Sequence, residues 1–228
     1  MVLMIWRISE KMADLKKINF KALSVRLLLN TLGTIISSFG VGCYYGCGLG
    51  TDPISVFVDG LHNISGLSYG TISTICNVIQ AILIFLFIRE YLGVGTLIGV
   101  LIAGPLIDVF ETFIRVDFPL ESISLGLQIA ILIAGLFTTS IGYGLAIVSK
   151  VGVGCFQFLP IFLSKVTPID LKYTQMFSDA LFFFIGFMLG GVVGIGTLVG
   201  VFLTGCILSF TISKLEGKVD SLGKIILN

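Results

Sequence analysis

The sequence predicts an all-α polytopic membrane protein whose six transmembrane helices form two inverted repeats of three helices each. Three observations support this prediction. Of the 228 residues, 56% are hydrophobic and only 12% are charged, whereas soluble domains carry about 25% charged residues. A helix needs about 20 apolar residues to cross a bilayer, and six segments meet this requirement. A glycine-rich sequence also occurs twice, at corresponding places in the two halves.

The six predicted crossings follow one another along the chain. They comprise residues 24–45, 69–88, 93–114, 123–148, 171–189 and 194–213. Two further apolar segments, residues 53–61 and 155–166, are too short to cross, and each follows a glycine-rich turn. We expect these segments to be short helices that interrupt the bundle. They either enter it from one face, which requires burial in protein or a wet cavity, or lie flat at the membrane interface.

The distribution of lysine and arginine predicts the orientation, because these residues concentrate in cytoplasmic loops. With a cytoplasmic N-terminus and six crossings, every lysine and arginine except Arg115 falls on the cytoplasmic side. The basic N-terminal segment lacks the pattern of a cleaved signal peptide. We therefore expect a cytoplasmic segment at 1–23, repeats at 24–116 and 117–213, and a cytoplasmic tail at 214–228.

The two halves repeat each other in sequence. The segments 93–100 (GVGTLIGV) and 194–201 (GIGTLVGV) are identical at six of eight positions. Upstream of them, an offset of 104 residues aligns Gly40 with Gly144 and the first glycine turn with the second. Each copy contains three crossings, an odd number, so the second copy must be inverted relative to the first. Many transporter folds use this duplication, and their sites lie near the bilayer midplane between the repeats.

The first glycine-rich turn precedes a predicted helix start. Thr51 or Asp52 can cap that helix, and Pro53 suits its first position. The N–H groups of a helix N-terminus attract an anion, whereas the Asp52 carboxylate favours a cation or an amine, and the sequence leaves both open. The second turn, 150–155, lacks these acids. A site built on the two turns is therefore expected to be asymmetric.

Ionisable residues inside crossings are costly in the membrane and are functional candidates by default. Asp179 lies in the middle of the fifth crossing, and Asn77 is its approximate counterpart in the first repeat. Asp179 is interpreted either as a polar contact between helices or as a site for a coupling proton or a ligand amine. The backbone of the first turn is expected to contact the solute. The candidate ligand-binding residues are Gly48, Gly50, Thr51, Asp52, Asp59, Asn77 and Asp179.

Two other acids lie near the outer end of the third crossing. Glu111 is expected to form an ion pair with Arg115, four residues further on, and the role of Asp108 is ambiguous.

Several functional classes are not indicated by the sequence. A net charge of +1 argues against nucleic acid as a partner. One histidine and five scattered cysteines provide no zinc-type metal site, and we expect no cofactor. No catalytic or nucleotide-binding motif is present, because the glycines of the first turn follow no strand and precede no phosphate-binding lysine. The expected partners are the lipid bilayer and a small molecule or ion. The sequence leaves homo-oligomerisation and a partner subunit open.

Arg26 and four motifs are distinctive in this sequence, namely Gly48–Pro53, Leu67–Gly70, Gly93–Thr96 and Gly104-Pro105. In these features the chain resembles bacterial integral membrane proteins of the YczE/YyaS/YitT type over residues 24–213. The resemblance implies a location in the bacterial cytoplasmic membrane and a bundle of inverted repeats. It implies no substrate, because the function of the family is essentially uncharacterised.

These observations lead to two functional hypotheses. The first is a small-solute transporter or permease with a site between the two glycine-rich turns. The alternative is a non-transporting membrane protein, either the substrate-capturing component of an importer or a regulator of a membrane enzyme. Copurification of a second subunit would favour the alternative.

Overall fold

The computed structural model describes residues 20–47, 52–117 and 123–227, and this part of the chain forms eight α helices and no strand. The helices are α1 (Phe20–Cys47), α2 (Pro53–Ser65), α3 (Tyr69–Phe87), α4 (Val94–Asp117), α5 (Leu125–Val148), α6 (Phe158–Val166), α7 (Leu171–Met188) and α8 (Ile195–Leu227). Single 3₁₀ turns occupy Arg89–Tyr91 and Cys155–Gln157. Each predicted crossing corresponds to one long helix, and the two short apolar segments correspond to α2 and α6.

Four of the long helices, α1, α3, α4 and α5, are long and apolar enough to cross a membrane. Within the described residues, α7 and α8 do not meet this criterion of length and hydropathy. The reason for α7 is its length of 18 residues combined with a series of polar side chains.

The polar side chains of α7 face the inside of the bundle. Those at 174, 175, 178 and 179 are each at most 3% exposed, and this spacing places them on one helix face. The opposite face carries exposed large apolar side chains, which include Tyr173, Phe177, Phe184 and Met188. This arrangement is the reverse of a helix in a water-soluble protein. It is the arrangement expected where apolar lipid surrounds the bundle and the polar groups are satisfied inside.

Helices α1 and α5 cross in close contact, and glycine makes this contact possible. A Cβ atom at Gly33 would lie 2.7 Å from the carbonyl oxygen of Gly142, and one at Gly40 would lie 2.7 Å from that of Gly135. Because positions increase along α1 as they decrease along α5, the two helices are antiparallel. The absence of side chains at these four positions lets the two backbones touch.

The remaining helices pack in pairs that correspond between the two halves. Helix α1 packs on α4, and α5 packs on α8. Helix α3 packs on α4, and α7 packs on α8. Each short helix contacts both α3 and α7, so that α2 and α6 occupy corresponding places in the contact pattern.

Polar contacts fix several helix ends. The carboxylate of Asp108 on α4 accepts hydrogen bonds from the Gly70 N–H at 2.7 Å and from the Ser68 hydroxyl at 2.8 Å. The sequence left the role of Asp108 open. In the structure it stabilises the N-terminus of α3, where unsatisfied N–H groups attract a carboxylate. The expected ion pair of Glu111 with Arg115 is confirmed, with a distance of 2.8 Å between the charged atoms.

A second group of polar contacts ties the C-terminal end of α5 to its neighbours. The Arg26 guanidinium of α1 donates to the carbonyl oxygen of Ser149 at 3.1 Å. Lys150 is buried, and its Nζ lies 3.4 Å from Oε1 of Glu216 on α8. These contacts hold α1, α5 and α8 together at the end of the bundle where the second glycine turn begins.

Candidate functional site

The described residues contain two apolar clusters with a polar layer between them. One cluster surrounds Tyr44, Ile72 and Ile107, and the other surrounds Ile84, Phe158 and Leu208. Buried polar side chains from both halves lie between the two clusters. Burying so many polar groups costs free energy unless they are hydrogen-bonded or bind a ligand. The polar layer is therefore the region in which a functional site is expected.

A cavity of about 70 Å³ lies in this layer, between α1, α3, α4, α5 and the second glycine turn. Its polar lining consists of Thr34, Ser37, Ser38, Asn77, Tyr143 and Gln157. One water occupies about 30 Å³ of liquid, so the cavity holds about two waters or one very small solute. Donors and acceptors from four separate elements converge on it.

Gln157 is the side chain in this lining with the strongest need for a partner. It lies in the 3₁₀ turn Cys155–Gln157 and is 1% exposed. Neither its Nε2 nor its Oε1 forms a hydrogen bond within the described part of the chain. A buried polar atom without a partner costs about 1–3 kcal/mol. The amide is thus available to donate to and accept from a molecule in the cavity.

Asn77 of α3, a candidate from the sequence, also lines the cavity and is 5% exposed. Gln157 was not among the candidates. The signal that could have identified it is a glutamine at the start of an otherwise apolar short helix, opposite Asp52-Pro53 in the repeat.

Asp179 lies on α7, outside the lining of this cavity but in the same layer. It is 1% exposed, and its Oδ1 accepts a hydrogen bond from Nε2 of Gln175 at 2.8 Å. Its Oδ2 has no partner among the described residues. Helix α7, which carries Asp179, packs on α2, which begins directly after Asp52.

Asp52 occupies the N-cap position of α2 and is 4% exposed. Its side chain makes no capping hydrogen bond, and its Oδ1 has no partner in the described structure. Burial raises the pKa of Asp52 to about 6, because an apolar environment disfavours the charged carboxylate. Of the two capping residues that the sequence offered, the structure places Asp52 at the N-cap, with Pro53 in the first turn of the helix as predicted.

Asp59 has a different environment from the other candidate acids. Its Oδ1 accepts a hydrogen bond from the Tyr69 hydroxyl at 3.1 Å, and its Oδ2 accepts one from the Val192 N–H at 2.6 Å. Both oxygens are therefore occupied, and Asp59 does not line the cavity. The geometry makes it a tie between α2, α3 and the segment that follows α7.

Three predicted ligand-binding residues, Gly48, Gly50 and Thr51, lie outside the described residues. The layer also contains buried polar atoms that the sequence did not single out, such as the Tyr44 hydroxyl, Oε1 of Gln175 and Oγ of Ser178, which lack a hydrogen-bond partner among the described residues. In that part of the chain no group of three or more His, Cys, Asp or Glu is arranged to hold a metal ion.

Sequence comparison identifies the family. A model of a family of unknown function, DUF6198, matches residues 24–213, which contain both halves of the polar layer. The chain belongs to DUF6198. The uncharacterised membrane protein YczE of Bacillus subtilis (strain 168) is 28% identical over 185 residues, which are 80% of this chain and 83% of YczE. The uncharacterised protein YyaS of the same organism is 27% identical over 179 residues, 78% of this chain and 87% of YyaS.

These matches confirm the resemblance to the YczE and YyaS type, and with the apolar helices they show a membrane protein. No solved structure matches the chain. The similar proteins are themselves uncharacterised, so the function of this DUF6198 protein must be argued from its own geometry.

Proposed function

We propose that this DUF6198 protein is a transporter of a small polar solute, which binds in the cavity lined by Asn77 and Gln157. One observation carries the proposal. The cavity is lined by helices of both halves, and it exposes an amide, that of Gln157, with no partner for either polar atom in the described structure. A purely structural protein would be expected to satisfy such a group internally. A transporter needs unpaired donors and acceptors near the middle of the bilayer.

The proposed architecture is six crossing helices in a 3+3 inverted repeat, interrupted by α2 and α6. The correspondence of helix contacts between the halves supports it, as does the antiparallel crossing of α1 and α5. With an offset of 102 residues, Gly33 corresponds to Gly135 and Gly142 corresponds to Gly40. Exchanging the two halves therefore converts the contact between Gly33 and Gly142 into the contact between Gly135 and Gly40, and both contacts are present. This offset differs by two from the 104 derived from sequence. It pairs Asn77 with Asp179, as the sequence suggested.

The counterpart of the cavity in the second half is filled. The repeated sequences at 93–100 and 194–201, which are 101 residues apart, pair Gly99 with Gly200. Gly99 lines the cavity, and a Cβ atom there would meet nothing within 4 Å. At its counterpart Gly200, a Cβ atom would lie 3.1 Å from Cδ of Pro53 and 3.6 Å from Cα of Asp52. One member of the symmetric pair of spaces is thus open, whereas the other is filled by the start of α2. The proposed site is asymmetric, with the carboxyl groups on the filled side.

The proposed location is the bacterial cytoplasmic membrane, with both termini in the cytoplasm. A C-terminal fusion to a fluorescent protein that matures only in the cytoplasm should fluoresce. Alkaline phosphatase, which is active only outside the cytoplasm, should be active when inserted at 118–122. The opposite pattern would reverse the proposed orientation.

Ligand binding tests the proposed site. A thermal-shift screen of the purified protein would use small amides, amino acids, ammonium and alkylammonium salts, and Na⁺ and K⁺ salts. A ligand that binds only the folded state adds about 2.7 kcal/mol to its stability at a hundred times its Kd. We expect at least one class of compound to raise the unfolding temperature of the wild type, and Gln157→Leu and Asn77→Leu to abolish that rise.

The matched control is Gln80→Leu. Gln80 is also buried on α3 and also has an unpartnered Oε1, but it does not line the cavity. This variant should keep the ligand-induced shift. The proposed site is contradicted if the whole panel leaves the wild type unshifted, or if the shift persists in both cavity variants.

A further inference from the structure

An apolar groove of about 520 Å³ runs along the outside of the bundle between α5 and α8. Its walls include Phe137 and Ile141 of α5 and Cys206 and Phe210 of α8, and Lys214 of α8 lies at one end of it. The volume falls in the range of about 300–1,000 Å³ that small-molecule sites occupy. The three large wall residues are 43%, 39% and 62% exposed, respectively, so a molecule outside the bundle can reach the groove.

The length of the groove matches one leaflet of a bilayer. Along α8 it extends from Cys206 to Leu215, which is about 13–14 Å at the helical rise of 1.5 Å per residue. One leaflet contributes about 15 Å, half of the hydrocarbon core of about 30 Å. A further transmembrane helix would need a contact surface of about twice this length. The groove therefore has the dimensions for a lipid acyl chain.

The charged end of the groove has no acidic partner. Lys214 is exposed, and its Nζ lies 5.7 Å from the centre of the Phe210 ring. Within the described part of the chain no carboxylate pairs with it. Two residues further along α8, Glu216 contacts Lys150 at the end of α5, so Lys214 lies at the end of the bundle proposed to be cytoplasmic. Basic residues between transmembrane helices on that side bind the head groups of anionic lipids.

The first half has a corresponding groove that lacks this cation. A groove of about 350 Å³ lies between α1 and α4. The offset of 102 residues pairs its wall residue Ile35 with Phe137. The offset of 101 residues pairs three more wall residues of the first groove with wall residues of the second, namely Pro105 with Cys206, Leu106 with Ile207 and Val109 with Phe210. Lys214 corresponds to Phe113, so only the second groove combines apolar walls with a charge.

We propose that the groove between α5 and α8 binds one anionic phospholipid. An acyl chain lies along the groove against Phe137 and Phe210, and a phosphate oxygen of the head group accepts a hydrogen bond from Nζ of Lys214. The apolar walls are covered by hydrocarbon, and the lysine gains the negative partner that the chain does not provide. This binding requires the membrane location and does not depend on transport.

Native mass spectrometry of the full-length protein tests the proposal. The purified protein would be equilibrated with detergent micelles that contain equal amounts of phosphatidylglycerol, which is anionic, and phosphatidylcholine, which is zwitterionic, with identical acyl chains. We expect the wild type to retain one phosphatidylglycerol in preference to phosphatidylcholine. Lys214→Gln should weaken the binding of phosphatidylglycerol about fivefold, the effect of one basic residue at an anionic surface, and leave phosphatidylcholine unchanged.

The matched control is Lys172→Gln. The Nζ of Lys172 also lies 5.7 Å from an aromatic ring, that of Tyr173, but Lys172 does not line the groove. This variant should keep the lipid preference of the wild type. A second variant, Cys206→Phe, fills the groove from an exposed position. It should reduce the retention of both lipids while Lys214 remains in place.

Several results would overturn the proposal. Equal retention of the two lipids by the wild type would indicate ordinary surrounding lipid. Equal effects of Lys214→Gln and Lys172→Gln would show that the charge acts from anywhere on this side. Displacement of the lipid by glycerol phosphate, the head group without chains, would indicate a site for free phosphate. A dimer that retains no lipid would show that a second copy of the chain covers the groove.

Discussion

Replacing Gly142 with valine is expected to destabilise the folded protein by about 3 kcal/mol, the upper part of the usual range for overpacking. A Cβ atom at this position would lie 2.6 Å from the carbonyl oxygen of Gly33 and 2.6 Å from the backbone nitrogen of Ser37. Backbone atoms cannot move aside as a flexible side chain can, so α1 and α5 must separate. That separation would also disturb the cavity, which both helices line. Thermal or denaturant unfolding in detergent measures the loss.

Gly126→Ala is the control, because it lies on the same helix and a Cβ atom there would meet nothing within 4 Å. It should be neutral or stabilising by up to about 1 kcal/mol, the difference in helix propensity between glycine and alanine. Equal losses in the two variants would show that the α1–α5 crossing is not the close contact described above.

Asp59→Ala is expected to cost about 2–5 kcal/mol, because it leaves two donors without acceptors and each such loss costs about 1–3 kcal/mol. These donors are the Tyr69 hydroxyl and the Val192 N–H. Asp59→Asn should lose about half as much, since one oxygen remains to accept from Tyr69 while the amide cannot accept from Val192. Chemical unfolding of the three proteins measures the series.

The same series separates a structural role from a binding role. If Asp59 acts only through the contacts observed, the ligand-induced shift of the wild type should persist in whatever fraction of Asp59→Asn remains folded. A variant with wild-type stability and no ligand binding would place Asp59 in the solute site instead.

The helices of this fold could be predicted closely from sequence because their signal is local. The lengths of the apolar runs and the polar breaks between them place the helices within a few residues, except at the C-terminal end of α8. That helix continues to Leu227, whereas the predicted crossing ends at residue 213. The repeat was visible for the same reason, through the glycine-rich sequences at 93–100 and 194–201.

The site was less predictable, because it depends on which elements meet. Asp108 and Asp59 look alike in sequence to Asp179, since all three are acids among apolar residues. Only their contacts distinguish them. Asp108 accepts hydrogen bonds from the start of α3, and Asp59 accepts them from two separate segments. Asp179 keeps one oxygen without a partner among the described residues. Gln157 is not distinguished in the sequence, because a glutamine carries no charge.

The offset between the repeats shows a further limit of sequence. Aligning glycine with glycine across the turns gives 104 residues, whereas the paired contacts of α1 and α5 give 102. Glycines recur in this chain both for close helix contact and for turns. Glycines that align in sequence therefore do not occupy equivalent positions in the helix contacts.

Uptake into proteoliposomes tests transport most directly. The protein would be reconstituted into sealed vesicles and supplied with a radiolabelled form of a ligand found in the thermal-shift screen. We expect the label to enter the lumen in a saturable manner, and we expect Gln157→Leu to abolish entry while Gln80→Leu does not. Saturable binding of the label to the protein with no entry into the lumen would contradict transport and favour a non-transporting membrane component.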